Sequence, residues 1–276
     1  MLLWGGFAYL AFLVPKPLNE AMSAQLRPWA KLIAIILLCA ALASLPIAAA
    51  SFGEGWADAF NAENLRNILF ETPSGIAWIL QILGCLMAGG ALVFKAHLGS
   101  MALALAGALI LAGRSFIGHG VMGEGTVGLF LQSNYLLHLL ATGAWIGALL
   151  PFILIVAKSG APEQRPLALR AIENFSNFGI GCVVLIIGTG TINTALISGN
   201  WPQTGGEGYS TWLFVKLIIV AVMVGLAMIN RFTLFPKMDT AWPTHHKSLA
   251  MAASFELLLG MSILIIANIF STLNPH

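Results

Sequence analysis

The sequence predicts an all-α fold: a polytopic membrane bundle of about eight transmembrane helices, forming one integral membrane domain over residues 1–276. Three observations carry that expectation. Hydrophobic residues make up 58% of the chain and charged residues only 9%, against roughly 25% charged in a soluble domain. There is too little polar surface to keep such a chain in water. Its apolar residues fall into long runs, and a hydrocarbon core roughly 30 Å thick takes about 20 helical residues to cross. Ten of the 13 Lys and Arg residues lie in or at the edge of four of the gaps between those runs, the tenth being Lys31 at the start of the second run, and these gaps alternate with three acidic ones. Lipid leaves the backbone only helices or closed barrels, and unbroken runs are helices, not short alternating strands.

The first run, about 1–14, has neither a charged leading segment nor a small-residue cleavage site, so it reads as a helix and not a leader. Its residues rise only about 21 Å, so either it is partly interfacial or the chain begins later than the complete helix would. A gap with Lys16 and Arg27 leads to the second run at 29–51. The segment that follows carries Glu54, Asp58, Glu63 and Glu71. A surface helix around 56–70 is expected there, laying Trp56, Phe60, Leu65 and Leu69 on the membrane interface. Runs at 74–94 and 98–115 flank Lys95, and the Gly-rich GHGVMGEGTVG connects to the fifth run at 133–157. Lys158, Arg165 and Arg170 separate it from the sixth at 172–198; NWPQTGGEGY leads to the seventh at 211–230. Arg231, Lys237 and Lys247 precede the eighth at 248–270. Basic gaps face the cytoplasm, so both termini are expected on the opposite side. The net charge of +2 comes from these loops; it reports orientation and points to no nucleic-acid partner.

Polar groups inside lipid are costly, about 2.5–3.5 kcal/mol for a central charge on the insertion scale, so each needs a partner or a purpose. His138, Asn193, Lys216 and Glu256 stand out. His138 falls about five residues into the fifth run, with Thr142 and Trp145 on the same helix face. His119, with Met122 three residues on, lies in the preceding loop at a depth that allows it to converge with His138. Imidazole and thioether are copper ligands, thioether favouring Cu(I), so His119, His138 and Met122 form a candidate outer metal site. Cys39, Cys85 and Cys182 fall near the midplane of three different runs, with Met87, Met223 and Met261 at similar depth. They outline a soft-ligand path, although Cys and Met are also ordinary core fillers. Lys216 has a stem long enough to snorkel to the outer interface. Glu256, about eight residues from the inner end of its run, has a short reach and must pair, protonate or bind an ion. Depth argues against a Lys216–Glu256 pair.

Five ordered stretches resemble the copper resistance protein D (CopD) family of bacterial inner-membrane proteins. They are GHG with an upstream Arg114, LLHLLATGAWIGALLP, FSNFGIGCVVLIIGTGTINTALI, YSTWLFVKLIIVAVMVGLAMINRFTLFP and FELLLGMSILII, together covering about residues 107–270. The resemblance implies eight membrane helices and copper movement across the inner membrane, inward from periplasm to cytoplasm. It also implies a periplasmic CopC-like copper-binding protein as donor; the side opposite the basic gaps, where the charge pattern puts both termini, is then the periplasm. By position it points to His119, His138, Trp145, Asn193, Lys216, Asn230, Arg231 and Glu256. The chain departs from the pattern at its start: full-length relatives carry a longer first helix with an early His, and here no His precedes His97.

A copper ion as cargo and a non-enzymatic role are therefore expected: no nucleotide-binding loop, phosphorylated-Asp motif or nucleophile–base pair is present. One rival reading is a membrane oxidoreductase with b-type haem, which needs two His facing each other within the bilayer. His97 sits at the edge opposite His138. A second rival is an accessory subunit that docks a periplasmic copper carrier without transporting.

Overall fold

Packing begins from the fifth apolar run. In the computed structural model, which describes residues 1–53, 55–94, 96–117, 125–197, 209–238 and 242–270, that run becomes the helix around which the others assemble. The helices are α1 (Leu2–Leu13), α2 (Lys16–Phe52), α3 (Ala62–Glu71), α4 (Pro73–Ala91), α5 (Ala96–Gly113), α6 (Gly125–Lys158), α7 (Arg165–Ile197), α8 (Tyr209–Ile229) and α9 (Trp242–Phe270). No strand occurs among the described residues. The most apolar window of α6 is 67% buried, more than that of any other long helix. Helices α4 and α5 pair with each other and with α2 on one side of it; α7 and α9 pack directly on it from the other, and α8 packs on α9.

Seven of these helices are long and apolar enough to cross a membrane, where eight crossings were expected. The exception is α1, which rises only about 18 Å. It is not interfacial either: Leu3, Phe7, Tyr9 and Leu10 are buried in the core. Small residues allow this burial. Main chain approaches main chain where Gly5 meets Gly143 and where Gly147 meets Met1, the close contact that glycine permits between membrane helices. The Trp4 indole N–H donates to the Leu140 carbonyl at 2.8 Å and the Tyr9 hydroxyl to the Ala171 carbonyl at 3.1 Å. Both bonds fix α1 against the central helices.

A Cβ on Gly147 would stand 2.3 Å from the Met1 carbonyl oxygen, whereas one on Gly179 of α7 would meet nothing within 4 Å. Gly147→Ala therefore destabilises the bundle by about 1–3 kcal/mol of overpacking, and Gly179→Ala is neutral or stabilising through helix propensity. Thermal unfolding in detergent should lower the midpoint of the first variant only. Equal midpoints would refute the α1 packing.

The segment 15–28, read from sequence as a loop, is the first part of α2. Leu18, Met22, Leu26, Ala30 and Ala34 recur every four residues and are all buried, a helical stripe continuous with the membrane span. Beside it, Ser23 Oγ bonds Asn19 Oδ1 and Ser100 Oγ, both at 2.7 Å, tying this extension to α5. The surface helix expected around 56–70 forms as a 3-10 turn at Trp56–Asp58 followed by α3, capped by the Asn61 side chain. Trp56, Phe60 and Phe70 are exposed there.

Beyond Ile229 the last turns of α8 change pitch, running as a π-helix over Asn230–Leu234 and a 3-10 turn over Phe235–Met238. Pro236 has no N–H to give the carbonyl of Phe232, so regular α-helical bonding cannot continue. Such wide turns re-aim side chains, and here they put Asn230 against α9.

Candidate functional site

Two polar clusters lie in the half of the bundle formed by α6, α7, α8 and α9, one toward each end; the one on the side away from the basic loops is called the outer cluster, and inward runs from it toward those loops. From Lys216 to Asn230 along α8 the rise is about 21 Å.

The outer cluster centres on His138. Its Nδ1 lies 2.9 Å from the Thr189 hydroxyl, and that hydroxyl lies 2.5 Å from the Leu185 carbonyl. A carbonyl only accepts, so the single hydroxyl proton of Thr189 goes to it, and Thr189 Oγ1 accepts from His138 Nδ1–H. The tautomer follows: Nε2 carries the lone pair. This is how a protein prepares imidazole as a metal ligand, by fixing ring orientation and protonation through the other nitrogen. Gly190 keeps space beside the ring; a Cβ there would be 3.3 Å from His138 Cε1.

Asn134, one turn before His138 and buried, donates to the Thr189 carbonyl at 2.9 Å and to Asn193 Oδ1 at 2.8 Å. Lys216 is half-buried on α8 and close enough for its charge to act on His138. One turn inward from His138, the Thr142 hydroxyl oxygen is buried without a hydrogen-bond partner among the described residues.

Trp145 is buried about 10 Å further along α6, at the wall of a cavity of about 280 Å³. This cavity reaches inward to the second cluster. Its polar wall is Asn230, Glu256, Arg231 and Ser176, and the rest is apolar. Glu256, buried on α9, accepts from Asn230 Nδ2 at 2.5 Å. The other amide atom, Asn230 Oδ1, is buried with no partner among the described residues. Arg231 donates to Ser176 Oγ at 2.6 Å and Asn177 Oδ1 at 3.0 Å. Glu256 is thus paired with an amide and not with Lys216, as the depths required.

Five residues singled out from the sequence, His138, Asn193, Lys216, Asn230 and Glu256, enter these two clusters directly, and Trp145 and Arg231 line the cavity. His119 and Met122 lie outside the described residues. The soft-ligand set does not converge: Cys39, Met87 and Met261 are exposed, whereas Cys85, Cys182 and Met223 are buried on three separate helices. No group of three or more His, Cys, Asp or Glu suited to a metal occurs among the described residues. His97 is exposed in the first turn of α5. Sequence reasoning passed over Asn134, Thr189, Ser176 and Asn177. Spacing carried a signal for the first two, since Asn134 precedes His138 by four residues and Asn193 follows Thr189 by four, each pair on one helix face.

Residues 1–129 match the family model described as copper resistance protein D-like, N-terminal domain, and residues 169–270 the model described as copper resistance protein D. The chain is 28% identical over 278 residues to the inner membrane protein YebZ of Escherichia coli, covering 100% of this chain and 94% of that protein. It is 29% identical over 267 residues to copper resistance protein D of Pseudomonas syringae pv. tomato, covering 91% and 84%. Against copper transport protein CutJ of Bacillus subtilis it is 28% identical over 243 residues, covering 85% of this chain and 43% of that one. No solved structure matches. Most of α6, including His138 and Trp145, falls between the two matched segments.

Proposed function

Because the chain belongs to the copper resistance protein D family and is a multi-pass inner-membrane protein, we propose that it carries copper ions inward from the periplasm to the cytoplasm. The observation that carries this reading is the His138 tautomer, which leaves Nε2 as a metal-ready lone pair held in place by Thr189. His138 takes the ion at the outer face together with His119, and Met122 serves as an additional soft ligand. Thr142 is the next oxygen inward. Trp145 stands where the outer cluster gives way to the cavity, and Glu256 acts in transfer across the inner half. A small periplasmic CopC-like protein supplies the metal, and both termini face the periplasm. The protein acts as a carrier and not as an enzyme.

Sealed vesicles test the direction, with sidedness set by a reporter fused near Gly160 in a basic gap. Copper should accumulate only when the side opposite that reporter faces the added metal. Accumulation from the Gly160 side alone would reverse the assignment, and binding without accumulation would favour an accessory protein that only docks a copper carrier.

A further inference from the structure

The cavity is open sideways as well as lined by polar groups at one end. Helices α7 and α8 both contribute to its wall yet scarcely touch each other. Between them the wall residues Ile180 and Val184 of α7 and Met228 and Phe232 at the end of α8 are exposed. In a bilayer that gap faces acyl chains. At about 280 Å³ the space is nearly twice the roughly 150 Å³ apolar cavity that admits a benzene ring, which suits a length of hydrocarbon chain.

Apolar lining alone gives a lipid tail no reason to prefer this cavity to the surrounding bilayer, since both are equally apolar. The selective element is Arg231. Its guanidinium donates to two neutral side chains, Ser176 and Asn177, stands 5.8 Å from the Phe232 ring centroid, and meets no carboxylate among the described residues. Two bonds leave donors over from the five N–H groups of a guanidinium, and no carboxylate among the described residues offsets the positive charge. It sits at the end of the apolar span, on the side of the basic loops, where an inner-leaflet phosphate lies. Arginine suits phosphate better than lysine does because its fork can bond two oxygens at once.

We propose that this is a binding site for one anionic phospholipid of the inner leaflet: an acyl chain enters the cavity between α7 and α8 while the phosphate caps Arg231. The lipid closes the lateral gap and separates the Asn230–Glu256 pair from the bulk bilayer. Its binding is independent of copper, so its failure would leave the transport reading intact.

The full chain is reconstituted in bilayers of equal phosphatidylglycerol and phosphatidylcholine, extracted in mild detergent and weighed intact by native mass spectrometry. The expected result is a retained lipid enriched in phosphatidylglycerol by about fivefold, the preference one basic side chain gives an anionic headgroup. Arg231→Gln should return the ratio to that of the bilayer, and Arg231→Lys should keep part of the enrichment. Gly179→Leu, placed where a Cβ meets nothing within 4 Å, should fill the cavity and lower retention of both lipids. No retained lipid, a ratio equal to the bilayer in the parent protein, a polypeptide retained in place of lipid, or unchanged retention in Gly179→Leu would each overturn the proposal. The parent and Gly179→Leu keep it decidable should an Arg231 variant fail to fold.

Discussion

Replacing His138 by alanine removes most copper binding and leaves the helical bundle assembled. In the proposed site the imidazole is the ligand at the centre of the outer cluster, and its own polar contacts are with Thr189 Oγ1 at 2.9 Å and the Ile186 carbonyl, both on α7. Asn134 continues to hold the Thr189 carbonyl and Asn193 without it, so the α6–α7 contact survives. Thr189→Val is the companion variant. It keeps the branched shape but takes away the oxygen that fixes the His138 tautomer, and loss of such an orienting partner typically weakens metal binding by about 10–100-fold. The ligand itself should therefore count for more than the upper end of that range. Binding of the parent weakens as pH falls, because protonation takes the lone pair the metal needs. Equilibrium dialysis of purified protein against buffered copper, with thermal unfolding as the fold control, measures all three. Unchanged stoichiometry and affinity in a His119, His138 double variant would eliminate this site.

The α-helical membrane bundle was legible because hydropathy has one dominant cause, the cost of polar groups in lipid. The same cause made His138, Asn193, Lys216 and Glu256 visible one residue at a time. Pairing was harder to read. Thr189 is a common residue in a membrane helix and became informative only once α7 was seen to place it on His138 Nδ1. Asn230 lies at the edge of its apolar run, and only the π turn over Asn230–Leu234 brings it to Glu256. The α2 extension over 16–28 was hidden by its charges, Lys16, Glu20 and Arg27, which suggested a loop although Leu18, Met22 and Leu26 already kept helical spacing. The burial of the first run was hidden for a different reason. Length alone left an interfacial position as one of two alternatives, and the glycines that let α1 sink against α5 and α6 are Gly107, Gly143 and Gly147, far away in sequence.

Glu256→Gln should leave copper capture at His138 nearly intact and slow copper accumulation by roughly ten- to a hundredfold. The two clusters stand about 21 Å apart along α8, far enough for a change at one to spare equilibrium binding at the other. Glu256 is buried and bonded to Asn230 Nδ2, while Asn230 Oδ1 remains without a partner among the described residues. Glutamine matches the volume and still accepts from Asn230, so the helix contact persists and only the ionisable group is lost. A charge at membrane depth carries about 2.5–3.5 kcal/mol, and a transfer barrier that uses it changes by up to about two powers of ten when it is removed. Oxygen is a poor ligand for Cu(I) beside thioether or thiolate, which fits Glu256 for coupling or relay near the exit and not for tight binding. Uptake into sealed vesicles at matched protein abundance, across a pH series, gives the answer. Equal rates for Glu256→Gln and the parent at every pH would show that the carboxyl serves only to pack α9 against the end of α8.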